Sequence, residues 1–147
     1  LHEDQTLDVE RTNKLIEASK GLRFTFHRAF DWVSEPFKTL EQLESLGADY
    51  ILSSGQQKTA VEGMDLLTEL QQKASTCHIM PGSGVNAANA DLFLLKGFHA
   101  IHLSGTELLQ TLATKPKISM NSPGFLNDDK IVISSKEKVS SLVNKVK

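Results

Sequence analysis

The sequence predicts an α/β protein with a parallel sheet, because helix-patterned segments alternate with short apolar strands along most of the chain. Successive strands start roughly 22 to 28 residues apart, near the spacing of repeating βα units. Strands separated by a helix are joined by crossovers and therefore run parallel. A (β/α)8 TIM barrel takes about 250 residues. We therefore expect these 147 residues to cover roughly the C-terminal half of such a barrel, without its N-terminal strands.

Apolar periodicity and helix-capping residues define the individual elements. The predicted helices cover 8–19, 35–46, 59 or 62–74 and 86–96, and the predicted strands cover 22–27, 50–53, 77–80 and 98–103. In the second helix, Ser34 is the expected N-cap, Pro36 lies in the first turn, and Gly47 suits the left-handed position that ends a helix. The third helix has its predicted core at helical spacing: Val61, Met64, Leu67 and Leu70.

The repeating pattern stops after Leu103. Residues 107–112 are compatible with a short helix, whereas 113–129 contain Pro116, Pro123 and Gly124 and predict a long loop, either a lid or a disordered segment. A brief strand over 131–133 and an amphipathic helix over 136–147 complete the chain. We expect residues 1–147 to form a single domain.

Composition excludes several functional classes. With 39% hydrophobic residues, 23% charged residues and a net charge of −2, the chain is typical of a soluble globular protein and has no isolated basic block for nucleic acid. The single cysteine, Cys77, excludes an intrachain disulfide and indicates a reducing compartment. No apolar run approaches the roughly 18 residues of a membrane span. We expect a cytoplasmic protein, and open parallel sheet edges predict a homo-oligomer.

The segment from Arg23 to Asp31 carries the first candidate site. Phe24 and Phe26 should point to one side of a strand and His27 to the other, and Arg28 and Asp31 follow where the strand gives way to a loop. Polar groups at the carboxyl end of a strand are where α/β folds place their chemistry. The alternative is a structural network in which Asp31 holds a buried arginine or histidine.

Three further strand-end loops are expected to meet the first at one rim. They contribute the predicted ligand-binding or anion-binding residues Ser54, Gly55, Gly82, Ser83, Gly84, Ser104 and Gly105. Gly82 and Gly84 allow close backbone approach and positive φ, and a helix that begins near Asn86 would direct free N–H groups at an anion. The alternative is that the two glycines only make a tight turn.

His102 is predicted to point inward beside His27. With Arg28 and Asp31, this pair could supply acid–base catalysis, because imidazole titrates near neutral pH. The pair could equally bind a metal, with Met80 as a soft thioether ligand. We predict no role for His2, His78 or His99, which lie in the opening loop or near strand starts.

Four motifs, in order, resemble those of the copper homeostasis protein CutC family: 24–31 (FTFHRAFD), 51–55 (ILSSG), 80–85 (MPGSGV) and 101–105 (IHLSG). The resemblance spans nearly the whole chain. It implies a cytoplasmic TIM barrel, assigned to copper handling, whose first four strands are absent here. The family pattern extends to these positions: His27, Arg28, Asp31, Ser54, Gly55, Gly82, Gly84, His102 and Ser104.

Two functions remain open at this point. In the first, the protein binds or traffics copper; in the second, it is a TIM-barrel enzyme that acts on a small anionic or phosphorylated metabolite. Copper enters only through the resemblance, because the sequence has no Cys-x-x-Cys motif and no methionine cluster, the soft ligands that Cu(I) prefers. A third possibility is a scaffold whose rim is an oligomer contact.

Overall fold

The computed structural model describes residues 1–120 and 128–146. It divides the chain into two compact units, Leu1–Leu103 and Ser104–Lys147. The expectation of one domain over 1–147 stays a prediction. Within the predicted loop 113–129, residues 113–120 form bends and irregular structure, residues 128–129 form a turn, and residues 121–127 lie outside the described part of the chain.

The first unit alternates helices and strands, as predicted. Its elements are α1 (Val9–Ala18), β1 (Thr25–Phe26), a 3-10 helix (Arg28–Trp32), α2 (Pro36–Leu46), β2 (Tyr50–Ser53), α3 (Met64–Lys73), β3 (His78–Pro81) and α4 (Ala90–Leu95). The strands form one sheet in the order β1-β2-β3, and both pairings are parallel. The α/β class with parallel strands is therefore confirmed, whereas a closed barrel is not formed by the described residues.

The core of this unit lies on one face of the sheet. Ile51 and Ile79 point to that face and are almost fully buried among leucines of the flanking helices, which are Leu40, Leu43, Leu67 and Leu70. The other face is less covered. Along β2 and β3 it carries Tyr50 and Met80, which are half-buried, and His78, which is exposed.

Helix boundaries follow the predicted signals with two corrections. Pro36 opens α2, and Gly47 ends it with a φ of +86°, the left-handed conformation that glycine adopts without strain. Ser34 is not the N-cap; Glu35 occupies that position. The prediction that Val61 belongs to the helical core is also wrong, because α3 begins only after Gly63 and leaves Val61 40% exposed.

The fourth predicted strand, 98–103, does not form a strand. One backbone hydrogen bond connects it to β3 among the described residues, from the His102 N–H to the Pro81 carbonyl at 2.9 Å. A single bond does not make a ladder, and no further strand pairs with this segment on its other side in the described chain. The segment therefore lies beside β3 without strand geometry.

The second unit is an antiparallel strand pair followed by a helix. Strand β4 (Thr106–Gln110) pairs with β5 (Lys130–Ser134), and α5 (Lys136–Val146) follows. The short helix predicted over 107–112 is wrong, because pairing with the β-branched residues of β5 overrides a weak local helix preference. The predicted strand and final helix are confirmed. No helix in the described ranges is long and apolar enough to cross a membrane.

Candidate functional site

Asp31 holds the loops that follow β1 and β2 together. Its carboxylate is 6% exposed and accepts hydrogen bonds from the Arg28 Nε at 2.7 Å, the Ser53 hydroxyl at 2.6 Å, the Ser54 N–H at 2.9 Å and the Gln56 N–H at 3.2 Å. The short 3-10 helix places Asp31 three residues after Arg28, so both side chains face the same loop. The desolvation of the carboxylate is offset by these donors.

Arg28 is fixed on one side and exposed on the other. Its Nε donates to Asp31, and its Nη2 donates to the Ser54 hydroxyl at 2.7 Å. The Ser54 hydroxyl has one proton, which goes to the Gln57 carbonyl at 2.5 Å, the shorter of its two contacts with acceptors. The Arg28 side chain is nevertheless 45% exposed, and among the described residues its Nη1 makes no hydrogen bond or ion pair. The guanidinium is therefore oriented by the protein and accessible to a ligand.

The loop after β2 also depends on two residues that the sequence did not identify as candidates, Ser53 and Gln56. Ser53 and Ser54 are fully buried, and the Ser53 hydroxyl also accepts from the Gly55 N–H at 2.9 Å. Gln56 adopts a φ of +59° and donates from its side chain to the Val33 carbonyl at 2.6 Å. A polar residue at the last, core-facing position of a strand was the available signal for Ser53. Nothing in the sequence marked Gln56.

The loop after β3 does not have the predicted form. Gly82 is closely packed, since a Cβ there would lie 2.5 Å from Leu52 Cδ1 and the Leu52 side chain would have to move. Positive φ occurs at Gly84, as expected, and at Ser83 (+77°) rather than Gly82. The Ser83 hydroxyl donates to the Lys58 carbonyl at 2.8 Å, so it joins this loop to the preceding one. The tight-turn alternative therefore accounts for these contacts.

The fourth helix begins later than predicted, and the anion site expected before it stays a prediction. The helix α4 begins at Ala90 and has six residues, instead of beginning near Asn86. The Asn86 N–H donates to the Asn89 side chain at 2.9 Å, and the Ala88 N–H donates to the Asn86 side chain at 2.9 Å. These two N–H groups are already satisfied by neighbouring asparagines, which compete with helix formation here.

His27, one of the predicted metal ligands, has a backbone hydrogen-bond partner. Its Nδ1 accepts the Ala29 N–H at 3.0 Å, and a neutral imidazole with an accepting Nδ1 carries its proton on Nε2. Metal binding at Nε2 would place the ring proton on Nδ1, where it would face the Ala29 N–H, and the two donors would repel each other. No group of three or more His, Cys, Asp or Glu side chains that could hold a metal ion is found among the described residues, although a set of two histidines and a methionine is not of that kind. With His102 and Met80, the metal set remains a prediction without geometric support.

The remaining predicted residues lie in different places. His102 is exposed and lies over Gly82, since a Cβ at that glycine would be 3.4 Å from the His102 Cβ. Ser104 and Gly105 belong to the second unit, where the Gly105 carbonyl accepts from the Ser135 N–H at 2.7 Å. Their contribution to a common rim stays a prediction.

The fold and this cluster define a class of protein. The first unit is an incomplete parallel α/β sheet with its buried carboxylate and oriented arginine at the carboxyl ends of the strands, as in barrel proteins that place their sites at this edge. The CutC family model matches residues 1–107. The chain therefore belongs to the CutC family.

Similar proteins agree on the family and differ from this chain in length. A CutC family protein of Pasteurella multocida is 47% identical over 106 residues, which are 71% of this chain and 43% of that protein. One from Parabacteroides distasonis is 37% identical over 147 residues, which are 97% and 60% of the two chains. The crystal structure of a candidate copper homeostasis protein CutC from Streptococcus agalactiae has a TM-score of 0.64 and 30% identity, covering 69% of this chain and 51% of that one. The chain thus spans about half the length of these relatives, and the solved relative supports a TIM-barrel-like fold.

Proposed function

We propose that the edge of the sheet around Arg28 binds a small anionic or phosphorylated metabolite and that the protein is a TIM-barrel enzyme acting on it. The observation that carries this proposal is the state of the guanidinium. The guanidinium is held by Asp31 and Ser54, yet the Arg28 side chain as a whole is 45% exposed. A cation that is already oriented loses little conformational entropy when an anion binds, and its planar fork matches carboxylate and phosphate oxygens.

The neighbouring His27 supports chemistry on such a ligand. Because its Nδ1 accepts from Ala29, the neutral ring presents an Nε2–H that can donate a hydrogen bond to the ligand. His102 would act as the second acid or base, as the sequence predicts. Asp31 is a positioning residue for Arg28 in this proposal, since its oxygens already accept from the surrounding loop.

The test is a titration of the 147-residue chain with inorganic phosphate and with glycerol 3-phosphate, followed by 1H–15N NMR. The proposal expects saturable shifts of the Arg28 Nε–H and the Ser54 and Gln56 amides. Arg28→Gln should abolish them. Lys38→Gln is the matched control because it removes an exposed cation that is also paired with an acid three residues away. Equal shifts of the Ser54 and Gln56 amides in Arg28→Gln and in the parent chain would refute the site.

Copper handling is the second candidate function, and the name of the solved Streptococcus agalactiae relative favours it. Copper would then be cargo bound at His27, His102 and Met80. An anaerobic Cu(I) competition titration compares the chain with a His27→Ala, His102→Ala double variant. Stoichiometric Cu(I) binding that the variant loses would favour copper handling. If Cu(I) does not bind, or binds the variant equally well, copper binding at these residues is refuted and anion binding at Arg28 remains the proposed function. With either function we expect a cytoplasmic homo-oligomer without a nucleic-acid or membrane partner.

A further inference from the structure

A second cluster of side chains lies at the opposite ends of the strands from Arg28. His78 begins β3, and His99 lies on the segment that follows α4. Their ring centres are 6.0 Å apart with the planes at 78°. Both side chains are exposed, and no hydrogen bond to either ring is found in the described part of the chain. Both histidines therefore have ring nitrogens available to a ligand.

The separation of the two rings fits a shared metal ion. A metal held roughly 2.0–2.1 Å from one nitrogen of each imidazole places the ring centres about 5 to 6.4 Å apart, for angles at the metal from tetrahedral to linear. The observed 6.0 Å lies within this range. Because the rings are exposed, they can turn their nitrogens toward one point without disturbing the core. His27 lacks this freedom, since its Nδ1 accepts from Ala29.

The surroundings of the pair suit a cation. A cavity of about 210 Å³ adjoins the two histidines and is also lined by Gln71 and Thr76. The Glu44 carboxylate lies at the same end of β3, where it accepts from the Cys77 N–H at 3.0 Å. The Tyr50 ring also lies next to His78, with the two ring centres 5.5 Å apart. The cation packed on the Tyr50 ring among the described residues is Arg23, whose guanidinium carbon is 5.9 Å from the centre of that ring.

We propose that His78 and His99 form a binding site for a divalent first-row transition-metal ion, which is separate from the Arg28 cluster and independent of the function proposed above. Imidazole nitrogen is a preferred ligand of Zn²⁺, Ni²⁺ and Cu²⁺. Two protein ligands leave the other coordination positions of the metal to water or to an external ligand, so the site would be open. No covalent step is involved.

The test uses Zn²⁺ with the 147-residue chain. The imidazole Cε1–H resonances of its five histidines are followed by NMR as Zn²⁺ is added. The proposal expects the His78 and His99 resonances to move together and to saturate at one equivalent. His78→Gln and His99→Gln should each weaken binding at least tenfold, whereas His2→Gln, which removes an exposed histidine near the N-terminal amine, should leave it unchanged.

Other outcomes overturn the proposal. Zn²⁺ shifts confined to His2 would assign binding to the chain terminus, and shifts confined to His27 and His102 would assign it to the metal set predicted from sequence. An affinity unchanged in the His78→Gln, His99→Gln double variant would show that the two rings only stack. Because the resonances are read in the unsubstituted chain, misfolding of a variant would not obscure the result.

Discussion

Replacing Asp31 with alanine should lower the free energy of unfolding by about 2 to 6 kcal/mol. The magnitude follows from two fully buried donors, the Ser53 hydroxyl and the Ser54 N–H, which lose their acceptor. Each buried donor left unsatisfied costs roughly 1 to 3 kcal/mol. The lost ion pair with Arg28 adds little, because the half-exposed guanidinium can be solvated instead. A loss of this size lowers the Tm by at least about 4 °C in a chain of this length.

The assay is urea unfolding of the parent chain, Asp31→Ala and Glu35→Ala, followed by circular dichroism. Glu35 is the matched control: it pairs with Lys38 at the same three-residue spacing, but the two side chains are 56% and 59% exposed. Its loss should cost less than about 1 kcal/mol. If the two variants lose equal stability, within about 0.5 kcal/mol, the carboxylate does not organise the loops and the reasoning fails.

Four further predictions concern other parts of the chain. Burial raises the pKa of Glu44, but hydrogen bonds from the backbone N–H groups of residues 75–77 outweigh it and hold this pKa below its ordinary value. Glu44 should therefore stabilise the folded chain above about pH 4.5 and lose this contribution as the pH falls further. The Glu44→Gln variant should flatten this part of the pH–stability curve. Burial, with the nearby carboxylates, raises the pKa of Cys77 to about 12, so iodoacetamide at pH 8 should modify the thiol at least tenfold more slowly in the folded chain than in urea. Gly55→Ala should destabilise by more than about 2 kcal/mol, because the new Cβ would overlap the Gly63 carbonyl at a φ of +67°; Gly21→Ala, also at positive φ but with open space around it, is the control. Finally, the 16.2 kDa chain should self-associate in light scattering because its sheet keeps open edges, and a monomer that melts cooperatively would contradict the half-barrel prediction.

Strong local signals predicted the parallel part of the fold. The apolar period of α1 and α3, the pair Pro36 and Gly47, and the short strands β2 and β3 all depend on residues close in sequence. The failures depend on distant partners. Residues 106–110 are a strand only because 130–134 pair with them. Residues 98–103 are not a strand in the described chain, where a single backbone hydrogen bond, from His102, connects them to β3. Local propensity cannot contain that information.

The site shows the same division. That Arg28, Asp31 and Ser54 gather at one edge was predictable from their positions at strand ends, and the structure brings these three side chains into contact. Which of them is free to act was not predictable, because it depends on the hydrogen bonds each one makes. The His27 tautomer follows from a single backbone contact with Ala29, and His78, which had no predicted role, lies beside His99 only through tertiary packing.

Asp31 and Arg28 divide one network into a stabilising part and a binding part. The Asp31 side chain is buried, and its oxygens already accept hydrogen bonds from the surrounding loop. Arg28 donates from its Nε to Asp31, but its side chain remains partly exposed to solvent. Removing Arg28 leaves Asp31 with the Ser53, Ser54 and Gln56 donors, so the loops should persist while anion binding is lost. Removing Asp31 releases the loops and the guanidinium together. Loss of binding without loss of stability is therefore the signature that distinguishes a ligand site at Arg28 from a network that serves the fold alone.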